Sequence, residues 1–148
     1  MTESEAAQYR AAFFKTYPGI RRWHDTQRNG EITTVTLAGR PRHHVSRFTE
    51  KLASPISGTG ADILKRALAR LWADRDAVPS AALILAVHDE IVIEVDDAAA
   101  EQAVAWVMEH MTAAGAELLS DVPVDVEASI VADWSGTPIE DAISREAT

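Results

Sequence analysis

The 148-residue sequence has no cysteine, only two tyrosines and three phenylalanines, and a single lysine or arginine beyond position 80. Without thiols there is no disulfide framework and no thiolate metal site. No apolar run approaches the roughly 20 residues a membrane span requires, and the N-terminus lacks a signal-peptide pattern. A cytoplasmic protein with no membrane partner is therefore expected. Internal repeats, low-complexity tracts and linker-like stretches are also missing. The expected organisation is one domain over residues 1–136 with a polar tail over 137–148.

Composition is otherwise ordinary for a folded domain: 47% of residues are hydrophobic and 25% charged, so a buried core is affordable at this length. The charge is unevenly placed. Residues 1–80 carry 13 Lys and Arg against 8 Asp and Glu, whereas residues 81–148 carry 1 against 15. A basic first half is suited to a polyanion, and an acidic second half to cations or solvent.

Apolar periodicity divides the chain into short elements. A helix is expected from about Ser4 to Lys15, with Ala6, Tyr9, Ala12 and Phe13 along one face. Pro18 can open a second helix carrying Ile20 and Trp23. Asn29-Gly30 signals a turn before a strand from Glu31 to Leu37. A loop containing Arg40, Arg42 and the His43-His44 pair then runs to Ser54-Pro55, with one helical turn near Phe48 to Leu52. The histidines, adjacent on an extended segment, point in different directions and are expected at the surface without a metal.

The clearest helix should begin at Thr59, with Asp62 completing a capping-box pattern and Ile63, Leu64, Ala67, Leu68, Leu71 and Trp72 forming a core stripe. Another runs from about Asp97 to Ala114, with Met108 and Met111 on its core side. His24 and His110 show no partner signal. Val122 to Val131 alternates as a last strand should.

Between these helices lies Ala82-Leu83-Ile84-Leu85-Ala86-Val87-His88-Asp89-Glu90-Ile91-Val92-Ile93-Glu94-Val95. Two β-branched runs flank a histidine and two carboxylates, which reads as a β-hairpin with the acids near its tip. Carboxylates on a rigid strand end can hold a divalent cation for phosphoryl chemistry. The fold class is α+β: a small antiparallel β-sheet of three or more strands, with a His-Asp-Glu hairpin, packed against α-helices.

Four blocks in order give the sequence a specific likeness. They are Phe13-Phe14-Lys15-Thr16-Tyr17-Pro18-Gly19-Ile20 with Trp23; Thr36-Leu37-Ala38-Gly39-Arg40; Pro55-Ile56-Ser57-Gly58-Thr59-Gly60-Ala61-Asp62-Ile63-Leu64-Lys65; and Val87-His88-Asp89-Glu90, trailed by Val122-Pro123-Val124 and Trp134. Together, over roughly residues 4 to 134, they resemble the C-terminal palm segment of family A DNA polymerases, those similar to bacterial DNA polymerase I. The resemblance implies that Asp89 is the second catalytic aspartate and the metal ligand for Mg²⁺, with Glu90 beside it and His88 near the primer end. It also implies DNA contacts from Arg40 and Arg42 in the loop, from Ser57, and from Thr59 and Lys65 on the helix that begins at Thr59. Two such metal ions would activate the primer hydroxyl and stabilise the leaving pyrophosphate.

Departures from the family pattern are equally specific. Ala53 and Ser57 stand where it has an asparagine and a glutamine that face DNA, and Pro41 interrupts an arginine run. No Asp-Tyr pair and no Tyr-Gly pair occurs, so the first metal motif and the nucleotide-binding fingers helix have no counterpart in these 148 residues. Two readings follow. In one, the chain is the C-terminal part of a DNA-directed DNA polymerase in replication or repair. It would bind primer-template DNA itself, while a protein partner would supply the missing motifs and bind the dNTP, and Mg²⁺ would engage only with that partner present. In the other, it is a catalytically inactive palm remnant that binds DNA or protein. A metal-dependent phosphohydrolase lacks the further His and Asp ligands it would need.

Overall fold

The structure, a computed structural model, describes residues 1–134. The expected polar tail, 137–148, lies outside the described residues. Helices and strands form two compact units, Met1–Thr59 and a second beginning at Gly60. The class is α+β, with two small antiparallel sheets packed on helices.

In the first unit, α1 (Glu3–Thr16) starts on a capping box. The Thr2 side chain accepts from the Glu5 N–H, and the Glu5 carboxylate accepts from the Thr2 N–H. Those bonds hold the Glu5 carboxyl below its ordinary pKa. Tyr17 ends α1, and Pro18 occupies the first turn of α2 (Pro18–Thr26), where its missing N–H costs nothing. β1 (Ile32–Val35) and β2 (Pro41–Val45) pair antiparallel, with Val35 opposite Pro41 and Thr34 opposite Arg42. Their connection turns at Gly39, whose φ of +83° favours glycine.

Here the sequence expectation is corrected. The segment taken for a loop is β2, because Pro41 sits at the first strand position, where a missing N–H is tolerated. The supposed single turn at Phe48 is the start of α3 (Phe48–Ala73), which runs through Pro55 instead of beginning at Thr59. Proline removes one helix hydrogen bond, but contacts on either side hold the path. Lys51 Nζ donates to the carbonyls of Gln27 and Gly30, and Thr59 Oγ1 donates to Pro55 O at 2.6 Å. Thr59 is therefore no N-cap. It is buried at mid-helix, where it also accepts from the Leu37 N–H at 3.0 Å.

In the second unit, β3 (Ala82–Val87) and β4 (Glu90–Glu94) form an antiparallel pair, with Val87 opposite Glu90. A 3-10 turn, Asp97–Ala99, leads into α4 (Ala100–Ala116). The core gathers Leu71, Val78, Ala103, Trp106 and Val107, and Leu83, Ile91, Ile93 and Met111 pack against it. A fully buried Leu or Val contributes about 1.5–3 kcal/mol. Trp72, expected in the core stripe, is instead 65% exposed, with the Arg75 guanidinium 5.0 Å from its ring centroid. The expected strand over 122–131 does not form. Val124 and Val126 are half-buried alternately, but only Val131 makes a bridge among the described residues. Alternation fixes which face is wet, not whether a neighbouring strand offers a ladder.

One polar fastening lies beside this core. Asp74 Oδ2 accepts from Trp106 Nε1 at 3.0 Å and from His110 Nε2 at 2.9 Å, tying the end of α3 to α4. The donation to the carboxylate fixes the proton on His110 Nε2. These bonds, His110 first, hold the Asp74 carboxyl below its ordinary pKa. Glu117 is lowered in the same sense by Arg66 Nη1 at 2.5 Å and Arg70 Nη1 at 2.8 Å.

Two predictions follow from this packing. A Cβ on Gly58 would lie 2.6 Å from Thr36 Cγ2, whereas one on Gly60 meets nothing within 4 Å. Thr36 cannot rotate freely, because its Oγ1 accepts the Arg40 N–H at 3.1 Å. Gly58→Ala should therefore lose stability, overpacking of about 1–3 kcal/mol outweighing the helix-propensity gain. Gly60→Ala should gain up to about 1 kcal/mol in urea denaturation. The second prediction concerns pH. A carboxyl whose folded pKa is depressed adds stability above its unfolded value, about 3.9, and loses it as pH falls through the folded value. Thermal melts should accordingly drop below about pH 4, and Asp74→Asn should flatten that drop while lowering the melting temperature at neutral pH.

Candidate functional site

Apart from Thr59 and Lys65, the sequence-derived site residues fall in two places, one in each unit. The first is a cleft of about 220 Å³ lined by Thr34, Thr36, Arg40, Arg42, Ser57 and Gly58, together with Ser54. Two hairpin arginines reach toward α3 to form it. Arg40 Nη2 donates to Gly58 O at 3.0 Å. Arg42 Nη1 donates to Ser54 Oγ at 2.7 Å, and its Nη2 lies 3.3 Å from Glu50 Oε2. The pairing of Thr34 with Arg42 sets this register, and the small Gly58 lets β1 approach α3 closely. Glu50 neutralises part of the charge, but the Arg42 side chain stays 56% exposed and the ion pair is a weak, screened one.

Arg40, Arg42 and Ser57 are thus brought together, with hydroxyls and guanidinium donors around one hollow. That chemistry suits phosphate oxygens. Thr59 is placed differently, its hydroxyl engaged with Leu37 and Pro55 inside the unit. Ala53 is exposed and brings no polar group. His43 and His44 lie exposed on β2, where their Nδ1 atoms face Thr33 Oγ1 at 3.1 Å and Glu31 Oε1 at 2.6 Å. Ser54 and Glu50, the partners of Arg42, escaped sequence reasoning because the segment carrying them was read as a single helical turn within a loop and not as one helix with Thr59.

The second place is the β3–β4 turn. Val87 pairs with Glu90, so His88 and Asp89 are the two turn residues. His88 has φ of +56°, the left-handed conformation that tight hairpins demand at a central position. Holding a non-glycine residue there costs about 1 kcal/mol or more, and such strain clusters at functional sites. Asp89 and Glu90 are exposed at the tip. Lys65 belongs to α3 of this unit and is also exposed.

Carboxylate oxygens are the donors a hard divalent cation prefers. Among the described residues, however, no group of three His, Asp or Glu side chains gathers to hold a metal ion. Asp89 and Glu90 could form one side of such a site, and the set does not close by itself. The Asp74–Trp106–His110 cluster is a further feature missed in the sequence. Its signal was the spacing of Trp106 and His110, four apart on one helix face. No helix among the described residues is long and apolar enough to cross a membrane.

The model of DNA polymerase family A matches residues 1–136. DNA polymerase I of Aquifex aeolicus is 36% identical over 137 residues, which is 88% of this chain and 24% of that protein. DNA polymerase I of Deinococcus radiodurans is 35% identical over 151 residues, 90% of this chain and 15% of that one. Among solved structures, the POL domain of Pol1 from M. smegmatis, in complex with DNA primer-template and dNTP, superposes with a TM-score of 0.66 at 28% identity. That match covers 77% of this chain and 23% of the other. The chain therefore spans a quarter or less of the length of these relatives. With a family model matched from residue 1 to residue 136, the chain belongs to DNA polymerase family A.

Proposed function

We propose that this chain is the palm part of a DNA-directed DNA polymerase that works only together with polypeptide outside these 148 residues. The observation that carries the reading is the β3–β4 tip. An exposed aspartate stands on a two-residue turn, next to a histidine held at positive φ, in a member of DNA polymerase family A. In this reading Asp89 is one carboxylate anchor for Mg²⁺, Glu90 supports it, and His88 approaches the primer end. The ion supplies Lewis-acid stabilisation of the transferred phosphoryl group when it is bound. The residues present do not complete that site, so a second carboxylate and the dNTP contacts come from the complementing polypeptide. The chain's own residues hold the primer-template: Arg40, Arg42 and Ser57 at the first cleft, and Lys65 from the exposed face of α3. Thr59 acts indirectly, by fixing the β1–α3 contact on which Arg40 depends.

Both units leave apolar surface that a finished protein covers. Tyr9, Phe13 and Tyr17, four apart along α1, are 70%, 45% and 51% exposed, and α1 has no buried residue. Ile84, Leu85 and Val87 of β3 are similarly open. A two-stranded hairpin and a helix that buries nothing are each marginal alone, which supports a partner surface. A second reading, an inactive palm remnant, is favoured by Ala53 and Ser57, which remove two amide donors from the DNA-facing side.

Three outcomes are expected. The purified chain alone should not extend a primer, since it offers one carboxylate anchor and no nucleotide clamp; template-dependent incorporation by it would overturn the proposal. It should bind DNA in a salt-sensitive manner, and Arg40→Gln with Arg42→Gln should reduce the salt slope by about 1–2. Supplied with a polypeptide carrying the missing motifs, it should support synthesis that Asp89→Asn abolishes, while stability changes by no more than about 0.5 kcal/mol. Failure of any complemented pair to synthesise DNA, with binding intact, would favour the remnant.

A further inference from the structure

A second cleft, of about 230 Å³, lies between α1 and α2 in the first unit and plays no part in the proposal above. Its charged lining is Arg10, Arg21, Arg28 and Asp25, with Phe14 and His24 between them. The sequence spacing creates this convergence. Arg10 and Phe14 are four apart on α1; Arg21, Asp25 and Arg28 follow one another by four and three from α2 onward. Ala7 and Ala11 leave the α1 wall low.

The charge is unbalanced. Asp25 is the one carboxylate in the lining, and it is shared by two of the arginines: Arg21 Nε at 3.9 Å and Arg28 Nε at 3.0 Å. Arg10 stacks over Phe14, its guanidinium carbon 5.5 Å from the ring centroid, and makes no ion pair among the described residues. A guanidinium laid on a ring face is held in place while its N–H edge still points outward. The Arg21 and Arg28 side chains are 64% and 53% exposed, so their pairing with Asp25 is weak and an incoming anion can compete for them. Three guanidinium groups against one carboxylate leave two positive charges around a hollow large enough for a tetrahedral oxyanion.

We infer that the α1–α2 cleft binds a backbone phosphate of a nucleic-acid strand, in addition to the cleft at Arg40 and Arg42. The ligand class follows from the planar, forked donors, which match phosphate oxygens two at a time. A strand is favoured over a free anion because the cleft is open, with no buried donor to compensate for stripping a small ion of its water. The basic excess of residues 1–80 also gives a polyanion additional contacts. The inference rests on the DNA-binding part of the proposed function and is independent of catalysis.

The test is fluorescence anisotropy of the full chain with labelled single-stranded and duplex oligonucleotides across a salt series. Arg10→Gln with Arg21→Gln should weaken binding about 3- to 10-fold at low salt and reduce the log–log salt slope by about 1–2. Arg10→Lys with Arg21→Lys should restore most of the slope, because point charges still meet phosphates. Inorganic phosphate, followed through the arginine Nε–Hε resonances, should bind far more weakly than the oligonucleotide. Affinity and slope unchanged in the Gln pair, while Arg40→Gln and Arg42→Gln still lower both, would overturn the cleft and leave the proposed function standing. Inorganic phosphate binding as tightly as the strand would also overturn it. Loss of all oligonucleotide binding by the native chain would remove both.

Discussion

A single buried hydroxyl ties the first sheet to the helix on which it rests. Thr59 receives the Leu37 N–H and donates to the Pro55 carbonyl, so one side chain anchors the end of β1 and compensates the turn around a mid-helix proline. Gly58, one residue earlier, has no side chain to keep Thr36 away. The positions of Arg40 and Arg42 depend on this pair of contacts. Their guanidinium groups bond to Gly58 O, Ser54 Oγ and Glu50 across the same narrow seam. The cleft at Arg40 and Arg42 thus arises from backbone proximity before any charge is considered.

The second unit solves a different problem. Its two-stranded hairpin has too few hydrogen-bonded neighbours to stand alone. Leu83, Ile91 and Ile93 turn one face onto Leu71, Trp106 and Val107, which supports it from one side. Asp74 adds a polar fastening, its two donors spaced by one helical turn of α4. The other side keeps Leu85 and Val87 open, and the strain at His88 sits at the same end. A supported hairpin with an acid at its tip is a rigid mount for a charged group, and its outer face stays apolar and open.

This partition agrees with the charge asymmetry. Guanidinium groups concentrate in the first unit, at the β1–β2 cleft, where Glu50 pairs with Arg42, and between α1 and α2, where Asp25 is shared by Arg21 and Arg28. Carboxylates dominate after residue 80. The basic part suits nucleic-acid backbone, and the acidic hairpin tip suits cations.

Local chemistry alone determined a good deal. The Thr2-x-x-Glu5 cap, Pro18 at a helix start, the Gly39 turn and the β-branched runs around His88-Asp89 each specify their conformation through bonds to near neighbours. Family membership was legible because motif residues recur in order. Tertiary structure decided the rest. Ser54-Pro55 reads as a break, yet α3 continues through it because Lys51 and Thr59 are held by groups more than 20 positions away. The alternation of 122–131 reads as a strand, yet a strand exists only where another offers its backbone. The four-residue spacing of Trp106 and His110 could not name their shared partner, because Asp74 is 36 residues distant from His110. Periodicity says which side of an element is apolar; only the folded chain says what stands opposite it.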